Sequence, residues 1–265
     1  HAQEDFPIPR EVMNLPSIAA ANWYHHPEGK GTLKEFVLAA NEFAYGDYLR
    51  AIALGRRLPE EEQRKVAERL SELTALPVKK LMENKLRINT FVYPAEVFAE
   101  EGKAISIYDA RFSLGKFKNP AAFNFGKDDA VAALGNTALI GAFRGIWRDA
   151  LNIDTDEEYE CLAAPLSYAW KYNPKTYPPI AVEQAMYRNP KLKLMFGMGI
   201  YDMLTTMGWV HYLVNHFDYP QDRTWLTYYP SGHMPYISDS CAYGLQEDIK
   251  RFILAEKNEE GEKQQ

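Results

Sequence analysis

Cysteine is scarce in this chain of 265 residues: Cys161 and Cys241 are the only two, and neither stands in a metal-type spacing such as C-x-x-C. They can pair or remain two buried thiols, and the sequence leaves both open. No run of 18 or more apolar residues occurs, which argues against a membrane span. A clustered Lys/Arg stripe is also missing. The 30 basic residues are outnumbered by 36 acidic ones, for a formal net charge of -6, which argues against nucleic acid as a partner. Gly-rich phosphate loops, internal repeats and low-complexity linkers are absent. The opening His1-Ala2-Gln3-Glu4-Asp5-Phe6-Pro7-Ile8-Pro9 has no signal-peptide pattern and reads as a processed, trimmed or truncated start.

What remains is a globular composition. Hydrophobic residues make up 46% and charged ones 25%, enough to bury a substantial core in one large domain or two smaller ones. The 17 tyrosines suit a packed core first and a lined pocket second.

Residues 1–31 read as a Pro-rich, irregular start of a core segment. A helical region follows, with Leu33, Phe36, Val37, Ala40, Phe43, Ala44 and Tyr48 on one face and Gly55 closing it. Pro59 opens a second helix, Glu60, Glu61 and Glu62 favour the positive end of its dipole, and Val66, Leu70 and Leu73 form its buried stripe. Pro77 starts a third, short helix through about Glu83. Strand-like alternation shows at 104–108, and 129–151 reads as a helix again, interrupted by glycines. Residues 32–150 therefore predict a mainly helical insertion, a cap or lid burying Phe36, Phe43, Val66 and Leu70.

The last third changes rhythm. Residues 180–187 predict a helix, 192–199 a short buried strand, 206–217 a helix, 224–229 a strand and 240–254 a final helix, with a charged tail over 257–265. Strand and helix in alternation predict an α/β fold in which helices cover a parallel sheet, so 151–256 is the core segment. In such sheets chemistry gathers beyond the carboxyl ends of the strands. One such loop holds Asp202 and the other His233. Asp before His, each directly after a strand, is the order that α/β-hydrolases require of their last two triad members. The imidazole moves a proton to and from a hydroxyl, and the carboxylate fixes its tautomer and stabilises the imidazolium.

The local sequences carry a resemblance. Phe196-Gly197-Met198-Gly199-Ile200-Tyr201-Asp202-Met203-Leu204-Thr205-Thr206 looks like the segment bearing the catalytic Asp in bacterial members of the serine carboxypeptidase family. Tyr228-Tyr229-Pro230-Ser231-Gly232-His233-Met234-Pro235-Tyr236 resembles that family's Gly-His-Met segment. Four further blocks match in order: 15–25, 43–48, 84–88 and Tyr108-Asp109-Ala110-Arg111-Phe112. The resemblance implies the C-terminal part of an α/β-hydrolase sheet with a mainly helical cap, and release of C-terminal residues from peptide substrates by acyl transfer. It implies no metal and no organic cofactor, and a secreted or periplasmic location. His233 would be general base and then acid, Asp202 would orient it, and Met234 and Tyr201 are candidates for contacting substrate.

The family's nucleophile is not in view. None of the serines at 17, 71, 106, 113, 167, 231, 238 and 240, and neither cysteine, has the Gly-x-Ser-x-Gly setting of a nucleophile elbow. The resemblance thus implies a partner, an N-terminal half supplying Ser and oxyanion hole, without which this chain is inactive. Rival readings are an acyltransferase or lyase of the same family, or a non-catalytic binding protein on a truncated hydrolase fold; a homo-oligomer is left open. His25 and His26, an adjacent pair without a carboxylate set, read as a surface loop rather than a metal site. His211 and His216 read as ordinary helix residues, and Asp109 with Arg111 as a structural ion pair or, as the second reading, as residues that shape the pocket.

Overall fold

A computed structural model describes residues 8–115, 129–157, 159, 166, 169–171 and 178–254. Its first element corrects the sequence reading. Arg10–His25 is a 16-residue helix, α1, not an irregular segment, and Pro16 lies inside it. Residues 12–22 of α1 are all buried. A helix buried on every side shows no amphipathic stripe, and internal proline masks it further.

Around α1 pack the helices read from periodicity. Leu33–Phe43 (α2) begins at a capping box, in which Thr32 accepts from the Glu35 amide and the Glu35 carboxylate accepts from the Thr32 amide. One π turn at 44–48 joins it to Leu49–Leu54 (α3), and Gly55 ends α3 at φ +53°, where a side chain would be strained. Glu60–Thr74 (α4) buries Val66, Leu70 and Leu73. Val78–Glu83 (α5) and the single turn Tyr93–Glu96 (α6) follow.

Phe36 and Phe43, expected in the core, are only partly buried. Ala19, Ala20 and Ala21 of α1 and Ala40 and Ala44 opposite are fully buried instead. The contact between α1 and α2 is filled by small side chains, and the larger rings are displaced to its rim.

The strand expected at 104–108 is shorter than its pattern. Lys103–Ile105 (β1) pairs antiparallel with Ser113–Gly115 (β2), and 106–112 forms the connecting loop. Ala130–Asp149 (α7) starts at Asp129, which is fully buried and accepts from the amides of Val131 and Ala132, from Ser106 Oγ and from the Ile107 amide. By length and composition α7 is long and apolar enough to cross a membrane, although polar residues such as Asn136 and Thr137 interrupt its apolar run. Its buried, four-bonded cap ties it to the protein.

The last third follows the expected rhythm: Pro178–Arg188 (α8), Leu194–Gly199 (β3), Met207–His216 (α9), Thr224–Tyr229 (β4) and Asp239–Leu254 (α10). β3 and β4 pair in parallel, from Leu194 opposite Thr224 to Gly199 opposite Tyr229. Among the described residues this sheet has two strands, so each strand has one unpaired edge. The architecture is thus mixed α/β and mostly helical.

Two polar residues of α1 address the start of α9. Asn14 Oδ1 accepts from Thr206 Oγ1 at 2.8 Å and Trp209 Nε1 at 3.2 Å, and Ser17 Oγ accepts from the Met207 amide at 3.4 Å. Gly208 makes this approach possible, since a Cβ there would sit 1.9 Å from the Met13 carbonyl oxygen. Gly208→Ala should therefore cost about 1–3 kcal/mol by overpacking. Gly141→Ala on α7, whose Cβ would meet nothing within 4 Å, should stabilise by about 0.5–1 kcal/mol through helix propensity. Urea denaturation of the two variants against wild type measures both; destabilisation of equal size would contradict the α1–α9 contact.

Candidate active site

The parallel ladder of β3 and β4 runs past the strand ends. The Ile200 amide donates to Tyr229 O and the Tyr201 amide to Ser231 O, both at 3.0 Å. The chains then turn, and the two acid–base residues singled out from the sequence meet. His233 Nδ1 lies 3.0 Å from Asp202 Oδ2, although 31 positions separate them.

Asp202 is held before the imidazole arrives. Its Oδ1 accepts from the amides of Leu204 at 2.8 Å and Thr205 at 2.9 Å, an Asx turn closing the loop after β3. Its Oδ2 accepts from Thr205 Oγ1 at 2.5 Å as well as facing His233. Asp202 is 3% exposed, and these contacts compensate the burial of a charge. A carboxylate only accepts, so Nδ1 carries the shared proton and Nε2 is left as the acceptor.

Thr205 Oγ1 is also 3.1 Å from His233 Nδ1, so the hydroxyl braces both partners. It was not singled out from the sequence, although its place three residues after the Asp is the common spacing of a loop-closing hydroxyl. The His233 side chain is about one-third exposed (35%), while that of Asp202 is at 5%. The hydrogen bond that His233 donates to Asp202 raises the His233 pKa above its usual value, and partial burial opposes this.

Ser231 Oγ donates to Gly232 O and is buried, so it is not turned toward the imidazole. Among the described residues no hydroxyl bonds to His233 Nε2. Met234 is half-buried beside His233. Tyr201 is 4% exposed and packed, with Arg111 at 5.3 Å over its ring and Tyr24 edge-on at 5.4 Å.

The loop 106–112 lies across the loops that bear Asp202 and His233, and its Asp109 and Arg111 form an ion pair at 2.6 Å. His25, expected in a surface loop, ends α1 instead and bonds Ala110 O at 2.7 Å; burial lowers its pKa. His211 Nε2 lies 2.6 Å from the Tyr228 hydroxyl, burial lowers its pKa too, and His216 Nδ1 bonds Tyr212 O. Among the described residues no group of three His, Cys, Asp or Glu is placed to hold a metal. Cys241 is a buried free thiol, while Cys161 and the tail 257–265 lie outside the described residues. A hollow of about 520 Å³ lined by Arg10, Glu11, Asn14, Arg87 and Asn89 reaches the Asp202 loop only through Asn14.

No protein-family model, curated protein or solved structure matches the chain.

The His233–Asp202 pair should be visible in stability. His233 has a folded pKa above its unfolded value of about 6.5, so its contribution is full below that pH and is lost as pH rises through the folded pKa. Asp202→Asn should therefore destabilise more at pH about 5.5 than at pH about 8.5. Guanidinium unfolding at the two pH values measures the difference; an equal or reversed effect would contradict the pairing.

Proposed function

We propose that this chain carries the Asp–His portion of a serine carboxypeptidase-type acyl-transfer site, with the nucleophilic serine supplied by an N-terminal half. The observation that carries the reading is the 3.0 Å contact of His233 Nδ1 with Asp202 Oδ2 just beyond the carboxyl ends of two adjacent parallel strands. The chain order, the strand-end placement and the free Nε2 all suit a base that takes a proton from a hydroxyl brought against it.

In this reading a serine hydroxyl gives its proton to Nε2 of His233 as its oxygen attacks the peptide carbonyl. The imidazolium formed is stabilised by Asp202, already braced by the Leu204 and Thr205 amides and the Thr205 hydroxyl. The proton then passes to the leaving amine, and water releases the acyl group by the same route in reverse. Because Nε2 must be unprotonated to begin, turnover rises with pH through the elevated pKa of His233.

The sheet supports a missing half. Parallel sheets are normally covered on both faces and extended on both sides. Here three residues of β3 are partly buried and one is exposed, four residues of β4 are partly buried, and each strand keeps an open edge among the described residues. An N-terminal half contributing further strands would cover both deficits.

The expected outcome is no peptide release by the purified chain, and release of C-terminal residues when it is co-expressed with an N-terminal half bearing a Gly-x-Ser-x-Gly segment. His233→Ala in the combined protein should lower kcat by roughly 10⁶-fold, as for triad members acting as a unit. Intact-mass analysis of native material should show a second polypeptide, or extra mass, of about 150–250 residues. Turnover by the chain alone that His233→Ala abolishes would place a nucleophile within these 265 residues and overturn the reading.

A further inference from the structure

The loop between β1 and β2, which the sequence assigns to the cap, is bonded to both triad loops at once. On the Asp202 side, the Ala110 amide donates to Tyr201 O at 3.0 Å and Ile107 O accepts from the Met203 amide at 3.1 Å. On the His233 side, Tyr108 O accepts from the His233 amide at 2.6 Å, Asp109 Oδ2 from the Gly232 amide at 2.9 Å, and Pro230 O from Arg111 Nη1. Residues 200–203 and 230–233 are thus held against one template. The separation of Asp202 from His233 depends on this template as well as on the strand register.

Asp109 is the member whose chemistry is hardest to replace. It is 8% exposed, and both carboxylate oxygens are occupied. Oδ1 accepts from the Arg111 amide at 3.1 Å and from Nε at 2.9 Å, while Oδ2 accepts from Nη2 at 2.6 Å and from the Gly232 amide. A side-on guanidinium pair is the strong form of the interaction and fixes direction as well as distance. The remaining Nη1 reaches Pro230 O, so carboxylate and guanidinium together grip the backbone on either side of Ser231. Gly232 admits the grip: a Cβ there would lie 2.1 Å from Tyr108 O and 2.4 Å from Asp109 Cβ.

We infer that Asp109, locked by Arg111, is a positioning residue for His233, setting the imidazole's approach to Asp202 through the Gly232–His233 backbone. This rests on the proposed role of His233 for its functional meaning, but the positioning itself is readable without turnover. Asp109 bonds Arg111 and the Gly232 amide rather than the imidazole, and it acts through the Gly232–His233 peptide.

The experiment follows the His233 ring by NMR titration in the full chain, for wild type, Asp109→Asn, Arg111→Lys and Lys80→Ala. Lys80→Ala is the control, since it removes a distant ion pair of 2.8 Å with Glu96. In folded Asp109→Asn the ring pKa should fall toward about 6.5 as its contact with Asp202 loosens. Arg111→Lys should move it the same way by less, and Lys80→Ala should not move it even where stability falls. A folded Asp109→Asn or Arg111→Lys with the wild-type titration overturns the inference. Should both variants fail to fold, hydrogen exchange in wild type decides: the Gly232 and His233 amides are to exchange with the protected core, and fast exchange overturns it. Failure of peptide release in the two-half experiment would sink the proposed function and leave these titrations unchanged.

Discussion

Three backbones come unusually close at the carboxyl end of the small parallel sheet, and the geometry of the Asp202–His233 pair depends on that approach. A Cβ at Gly199 would lie 2.0 Å from Gly232 O, and one at Gly232 would lie 2.1 Å from Tyr108 O. No L side chain fits between these chains. Their peptide groups therefore bond directly, through Tyr201 N to Ser231 O and His233 N to Tyr108 O. Side chains on these residues would push the loops apart by ångströms, beyond the reach of the Asp202–His233 hydrogen bond.

Close backbone packing would be costly if it buried unsatisfied charge, and three acids lie in or under this region. Asp202, Asp109 and Asp129 are each less than a tenth exposed. An unpaired buried carboxylate costs several kcal/mol, whereas hydrogen bonds to a charged group return about 1.5–3 kcal/mol each. Asp129 accepts four bonds and Asp202 four with His233 included, so neither needs a full counter-ion. Asp109 takes the other solution and pairs side-on with Arg111. Of the three, Asp202 alone faces a group that can change its charge near neutral pH, His233.

The legible parts of the chain were those whose signal is local. The stripe Val66, Leu70, Leu73 located α4, the glutamates at 60–62 marked its start, and two short apolar runs followed by loops located β3, β4, Asp202 and His233. Helix α1 was illegible because burial on all sides erases periodicity and Pro16 argues against a helix. Phe36 and Phe43 were placed too deep because periodicity gives a face but not the separation of two helices, here set by alanines. The role of loop 106–112 rests on contacts far apart in sequence, such as Ala110 with Tyr201 and Asp109 with Gly232, which no local pattern carries. Its one visible trace was the Asp109-Ala110-Arg111 spacing.

That loop alters how cap and core relate. A lid that merely covered a site could be trimmed or moved at little cost to the acid–base pair beneath it. Here Asp129 bonds Ser106 and the Ile107 amide while capping α7, and Ser106 Oγ in turn accepts from the amides of Tyr108 and Asp109. The chain of bonds runs from the start of α7, through Ser106 and Asp109, to the Gly232 and His233 amides without passing through a flexible side chain of the site itself. Movement of α7 against the sheet must therefore strain the backbone that carries His233. The start of α7 and the loop 106–112 are thus bonded to the backbone that carries His233, and the helical and sheet portions share one structural unit there.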